Sequence, residues 1–165
     1  MFRRITMGLL FAALIAVPAT AQDLDKGLAA LNRGEYATAL QELRPLAERG
    51  DAEAQLNLGN MYYKGLGVTQ DYAEAMKWYS KAAEQGNAEA QLDVGVMFKE
   101  GQGVQQDFVS AHMWMSLAAA HSPKGSGMQT IAMMQRDILA ERMSASQVRK
   151  AKKLAKKWLA EHGDK

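Results

Sequence analysis

The residues with the greatest chemical reach are three histidines, His112, His121 and His162, five methionines and a run of lysines near the C-terminus. No His-x-x-x-His or His-Glu spacing occurs and the chain has no cysteine, so no tetrahedral zinc set is legible. His112 reads as a partly exposed helix residue. Met113, Met115, Met128, Met133 and Met134 could offer thioethers to copper(I), but they form no repeated Met-x-x-Met array. The better reading is that they fill an irregular core. Gly65-Leu66-Gly67 and Gly101-Gln102-Gly103 look superficially like phosphate loops, yet each follows a helical pattern and lacks both the third glycine and a Gly-Lys-Ser/Thr. No Ser-x-x-Lys pair is present either. Carboxylates are plentiful enough to supply a hydrolytic pair, although solvated helix faces explain them more simply. The sequence therefore assigns no catalytic residue, no cofactor and no metal.

The elements that position these residues repeat. Shifted by 36 positions, residues 52–87 align with 88–123, and 17 of the 36 pairs are identical. The copies read AEAQLNLGNMYYKGLGVTQDYAEAMKWYSKAAEQGN and AEAQLDVGVMFKEGQGVQQDFVSAHMWMSLAAAHSP. Each splits at a Gly-x-Gly-Val turn into helix, loop, helix. Ala52, Leu56, Gly59 and Tyr63 keep helical spacing, as do Tyr72, Ala75, Tyr79 and Ala82. A glycine inside a helix costs about 1 kcal/mol relative to alanine, so Gly59 and its copy Gly95 imply contacts too close for a methyl group. Gly65, Gly67, Gly101 and Gly103 belong to the loops, where positive φ is needed. Trp78 and Trp114, one repeat apart, read as core.

A shorter tetratricopeptide-like helix pair precedes the copies over residues 22–51, carried by LNRGEYATAL. Residues 124–165 follow as a C-terminal helix pair, with Ser144 and Gln147 spaced as a capping box. Ala151, Leu154, Ala155, Trp158 and Leu159 make an apolar stripe on the last helix, ringed by Arg149, Lys150, Lys152, Lys153, Lys156 and Lys157. This suits a cap that keeps the end of a solenoid soluble. Lys152, Lys153, Lys156 and Lys157 are also the candidate contacts for an anionic lipid or polyanion.

The repeat units resemble the Sel1-like repeats, a tetratricopeptide-related class of helical solenoids. The resemblance covers roughly residues 52–122, with a weaker match from Asp25. It implies an all-α, right-handed α-solenoid of antiparallel helix pairs and a role as adaptor or scaffold, often in bacterial envelopes or secretory pathways. Many secreted bacterial members carry a cysteine pair in each repeat. This chain has none, which weakens any transfer of their ligands.

Composition agrees with a single helical domain: 165 residues, 48% hydrophobic, 23% charged and three prolines. Arg3 and Arg4 precede a charge-free run from Ile5 to Val17, then Pro18 and Ala19-Thr20-Ala21. That is the layout of a cleavable secretory signal over residues 1–21, with the cut expected between Ala21 and Gln22 and the product periplasmic or secreted. No cysteine follows that could carry a lipid, and no stable membrane anchor is expected after cleavage. The net charge of +2 would fall to zero, divided into −5 over residues 22–146 and +5 over 147–165.

Comparing the copies marks the positions that packing leaves free. Asn57 becomes Asp93, Asn60 becomes Val96, Tyr63 becomes Lys99 and Lys64 becomes Glu100, while Leu56, Gly59 and Met61 keep an equivalent residue. These eight side chains are expected to point outward from the first helices, which line the concave face of such solenoids. They are the candidate contacts for a protein partner; no nucleic-acid partner is expected. A non-catalytic interaction scaffold is thus the leading reading. The competing ones are an envelope hydrolase with an unrecognised carboxylate site, for which a convergent carboxylate pair of altered pKa in a deep pocket would speak, and a polyanion binder acting through the basic helix.

Overall fold

The computed structural model describes residues 19–162, and of residues 19–22 the backbone only. The expected signal segment therefore lies outside the described residues, apart from the first backbone turn of α1. Eight helices follow in order: α1 Ala19–Asn32, α2 Tyr36–Glu48, α3 Ala52–Lys64, α4 Tyr72–Glu84, α5 Ala88–Glu100, α6 Phe108–His121, α7 Gly127–Ala140 and α8 Ala145–His162. No strand occurs among the described residues. Successive helices pack on one another from α1 to α7, which makes the chain an α-helical repeat solenoid.

Local chemistry sets the helix ends twice over. Asp51 accepts from the Ala54 N–H at 2.8 Å and Asn87 from the Ala90 N–H at 2.9 Å. Asp71 and Asp107 likewise take two otherwise unpaired N–H groups each at the starts of α4 and α6. Gly65 and Gly101 close α3 and α5 at φ 70° and 69°, the left-handed region that glycine enters without a steric penalty. Gly67 and Gly103 are also left-handed, and each abuts the start of the previous unit's second helix, at Tyr36 and Tyr72. A side chain there would meet backbone. Ser144 and Gln147 form the reciprocal capping box, at 2.8 and 3.2 Å.

The mid-helix glycines are close-approach points. A Cβ on Gly59 would lie 2.6 Å from the Tyr79 ring, and one on Gly95 would lie 2.9 Å from Met115 Cγ. Leu43, Leu46, Leu58, Met61 and Trp78 fill the first core. Tyr79, Ala82, Ala90, Val94 and Met97 fill the next. Two buried glutamines join units. Gln55 donates to the Ala47 carbonyl and accepts from Gln85, while Gln91, one repeat on, donates to the Ala83 carbonyl and pairs with His121 Nδ1 at 2.8 Å. Such buried amides must be satisfied in full, so each pins the spacing between neighbouring units.

Four expectations change. His112 is buried rather than partly exposed, enclosed where α7 and α8 both meet α6. Burial, with the positive charges of Arg136 and Lys152 nearby, holds its imidazole below the usual histidine range. Trp78 is buried, but Trp114 is only half-buried, its ring 6.2 Å edge-on to Trp158 of α8. The C-terminal helices are not a pair of the repeat kind: α7 and α8 each pack on α6 rather than on one another. Ala151 and Ala155 are buried in that seam. The outer side of α7 therefore stays open, with Ile131, Met133, Met134 and Ile138 exposed. Of the five methionines expected in the core only Met115 is wholly buried, while Met133 and Met134 are exposed on this open side, so they neither fill one core nor share one site.

Candidate binding groove

The first helices of the two full repeats, α3 and α5, flank a groove floored by α4. Both pack on α4, whose Tyr79 rises between them. Gly59 makes this possible, because the Tyr79 ring crosses α3 where a methyl group would stand. The Tyr79 hydroxyl donates to Asn60 Oδ1 at 2.7 Å. Tyr63 supplies a second aromatic wall, its ring 6.4 Å from that of Tyr79 and 5.2 Å from that of Tyr72. Its hydroxyl donates to Gln102 Oε1 in the following unit's loop at 3.0 Å, so the wall is anchored across the repeat boundary.

Between these walls lies a cavity of about 230 Å³. Asn60, Tyr63, Lys64, Asp93 and Val96 line it, together with Tyr79, Glu89 and Met97. Five of the eight candidate side chains thus converge. They do not simply point into solvent as expected: Asn60, Tyr63, Asp93 and Val96 are half-buried and only Lys64 is exposed. Asn57, Lys99 and Glu100 stand apart. Asn57 donates back to the Glu53 carbonyl, and Lys99 pairs with Glu100 at 3.0 Å at the end of α5. Lys152, Lys153, Lys156 and Lys157 are exposed on α8, with Lys157 loosely paired to Glu161.

The electrostatic centre of the groove is Asp93. Burial raises its carboxyl to about 7; Glu89, one turn earlier on α5, adds to the rise, and Lys64 across the groove opposes it. Burial, then the charge of Asp93, likewise pushes the Tyr79 phenol above its ordinary value. The two carboxylates share one wall of the cavity and do not face each other across a cleft, as glycoside hydrolysis requires.

Comparing the repeats could find only positions that differ. Glu89 and Met97 are identical to Glu53 and Met61, and Tyr79 belongs to the second helix of its pair, so all three escaped. The signal for Tyr79 was present in Gly59, the small residue that its ring requires.

A family model described as Sel1 repeat matches residues 52–87 and 88–123. No curated protein matches significantly. Among solved structures, c5321, described as a protective antigen present in uropathogenic Escherichia coli strains displaying an SLR fold, superposes with a TM-score of 0.79 at 28% identity, over 88% of this chain and 31% of that one. A Sel1 repeat protein from Oxalobacter formigenes gives 0.65 at 29% identity, over 86% of this chain and 56% of that one. The chain thus spans less than two thirds of either structure.

Proposed function

This chain is a Sel1-repeat protein, and from that premise we propose that it is a non-catalytic scaffold of the bacterial cell envelope that binds a protein partner in the α3–α5 groove. Sel1-repeat proteins are generally protein-interaction scaffolds rather than catalysts. The observation that carries the reading here is the convergence of Asn60, Tyr63, Lys64, Asp93 and Val96 on one cavity. All five occupy positions at which the two repeats differ. The signal-like layout of the segment before Gln22 supports the envelope assignment.

A hydrolytic reading attaches to one observation, the raised carboxyl of Asp93 beside Glu89. Against it stand their placement on a single wall and the absence of a legible nucleophile. The test is affinity capture from envelope extracts, with the chain and an Asn60→Ala/Lys64→Ala/Glu89→Ala variant used side by side. Loss of a captured protein by the variant, with the melting temperature kept, is the expected result. Retention of every captured protein would overturn the groove reading, and turnover of a glycan or ester that Asp93→Asn abolishes would replace it.

A further inference from the structure

The shape and charge of the groove say what kind of group it takes. A cavity of about 230 Å³ is smaller than the roughly 300–1,000 Å³ of small-molecule pockets, which suits one long side chain better than a cofactor. The half-buried ring of Tyr63 forms one wall, and its face attracts cations; Tyr79 is buried, its ring packed on Gly59. One side carries two carboxylates, Glu89 and Asp93, against a single lysine. Among the described residues, Asp93 makes no hydrogen bond or ion pair that would satisfy its half-buried carboxylate. Lys64 sits on an exposed stem and can withdraw to solvent when another cation enters.

We propose that this cavity receives one basic side chain, arginine foremost, from an extended segment of the protein partner. The guanidinium lies against the Tyr63 ring and donates to the Asp93 carboxylate, with Glu89 at the rim. Arginine fits better than lysine because its planar fork both stacks on aromatic faces and pairs with a carboxylate through two N–H groups. The inference rests on the groove reading given above and adds the chemistry of what enters.

The groups that face Asp93 are Glu89 on its own helix, Lys64 and Tyr63 from α3, and Tyr79 from α4. On the far flank, α6 and α7 meet α5 through apolar residues, Ala111, Met115 and Leu139 against Leu92, Val96 and Phe98. Ionisation of Asp93 is thus governed within the groove. A carboxyl raised to about 7 is largely protonated one unit below that and largely ionised one unit above. Binding of a cation therefore strengthens from about pH 6 to about pH 8.

The experiment titrates the full chain with two capped peptides, acetyl-Gly-Arg-Gly-amide and its citrulline counterpart, which keeps the shape of arginine without the charge. Amide shifts in a ¹⁵N spectrum are the readout. The arginine peptide should move the amides of Tyr63, Glu89 and Asp93, and the citrulline peptide should bind at least about tenfold more weakly. Asp93→Asn should weaken arginine binding to a similar degree. Asparagine is what the sister repeat carries at this position, as Asn57, so the fold tolerates it. Equal shifts from both peptides, shifts scattered away from the groove, unchanged binding by Asp93→Asn, or binding that does not grow with pH would each overturn the proposal. If the captured partner needs Asn60 and Lys64 while the arginine peptide fails to bind, the inference falls and the groove reading stands. If partner capture ignores the groove, that reading falls by itself.

Discussion

Asp93 is held at a cost to the fold, and the sign of that cost is measurable. Its carboxyl is raised to about 7 in the folded chain, against about 4 when unfolded. The folded state therefore holds a proton that the unfolded state releases. Stability from this group is full below about pH 4, falls as the pH rises, and levels off above about 7. Asparagine at this site cannot ionise, so Asp93→Asn should stabilise the protein at pH 8 by about 2 kcal/mol and change little near pH 4, as denaturant titrations at the two values would show. Gly59 makes the complementary case. Alanine there gains up to about 1 kcal/mol of helix propensity but must displace the Tyr79 ring, which its hydroxyl ties to Asn60. We expect Gly59→Ala to cost about 1–3 kcal/mol net. Gly95→Ala should destabilise as well, because a Cβ there would meet Met115 Cγ at 2.9 Å and the α6 backbone at Ala111 O and Met115 N, 3.2 and 3.3 Å away. An unchanged melting temperature in either variant would contradict the close approach.

Among the elements, α8 separates a packing role from a charge role. Its buried side presents Ala151 and Ala155 to the fold, and Trp158 lies 5.4 Å from His121 and 6.2 Å from Trp114, both on α6. Its opposite side carries Lys152, Lys153, Lys156 and Lys157 in the open. Trp158→Ala should therefore destabilise the chain by about 2 kcal/mol, less than the roughly 3–5 kcal/mol of a fully buried aromatic, because the ring is half-buried. Replacing the four lysines by glutamine should leave the melting temperature unchanged, since exposed charges contribute little. Salt-sensitive binding to anionic vesicles that disappears with those lysines would show that α8 binds as well as caps.

For the whole molecule, the proposed export bears most on which partner the groove meets. The segment before Gln22 has the basic start, apolar run and small-x-small end of a secretory signal. Intact-mass analysis of the product in a bacterial host should find Gln22 at its N-terminus; a protein that retains Met1 would remove the envelope from the functional reading. The open side of α7 belongs to the same scale. It exists because α8 crosses to α6, where Trp158 finds His121 and Trp114, instead of covering Ile131, Met134 and Ile138.

Much of the architecture was legible because it is local and written twice. The left-handed loop glycines and the small residues Gly59 and Gly95 act within a helix or between adjacent helices, and a 36-residue repeat states each of them in duplicate. The same comparison exposed Asn60, Tyr63, Lys64, Asp93 and Val96 as free to vary. It could not say that they converge, because that depends on how far apart α4 holds α3 and α5. Nor could it find Glu89, since a residue identical in both copies carries no contrast, although its environment differs with the unit beside it. The burial of His112 and the crossing of α8 were hidden for a related reason. An apolar stripe shows that a helix must cover something, but which neighbour it covers is settled by the competing areas of α6 and α7, and only the assembled solenoid presents both at once.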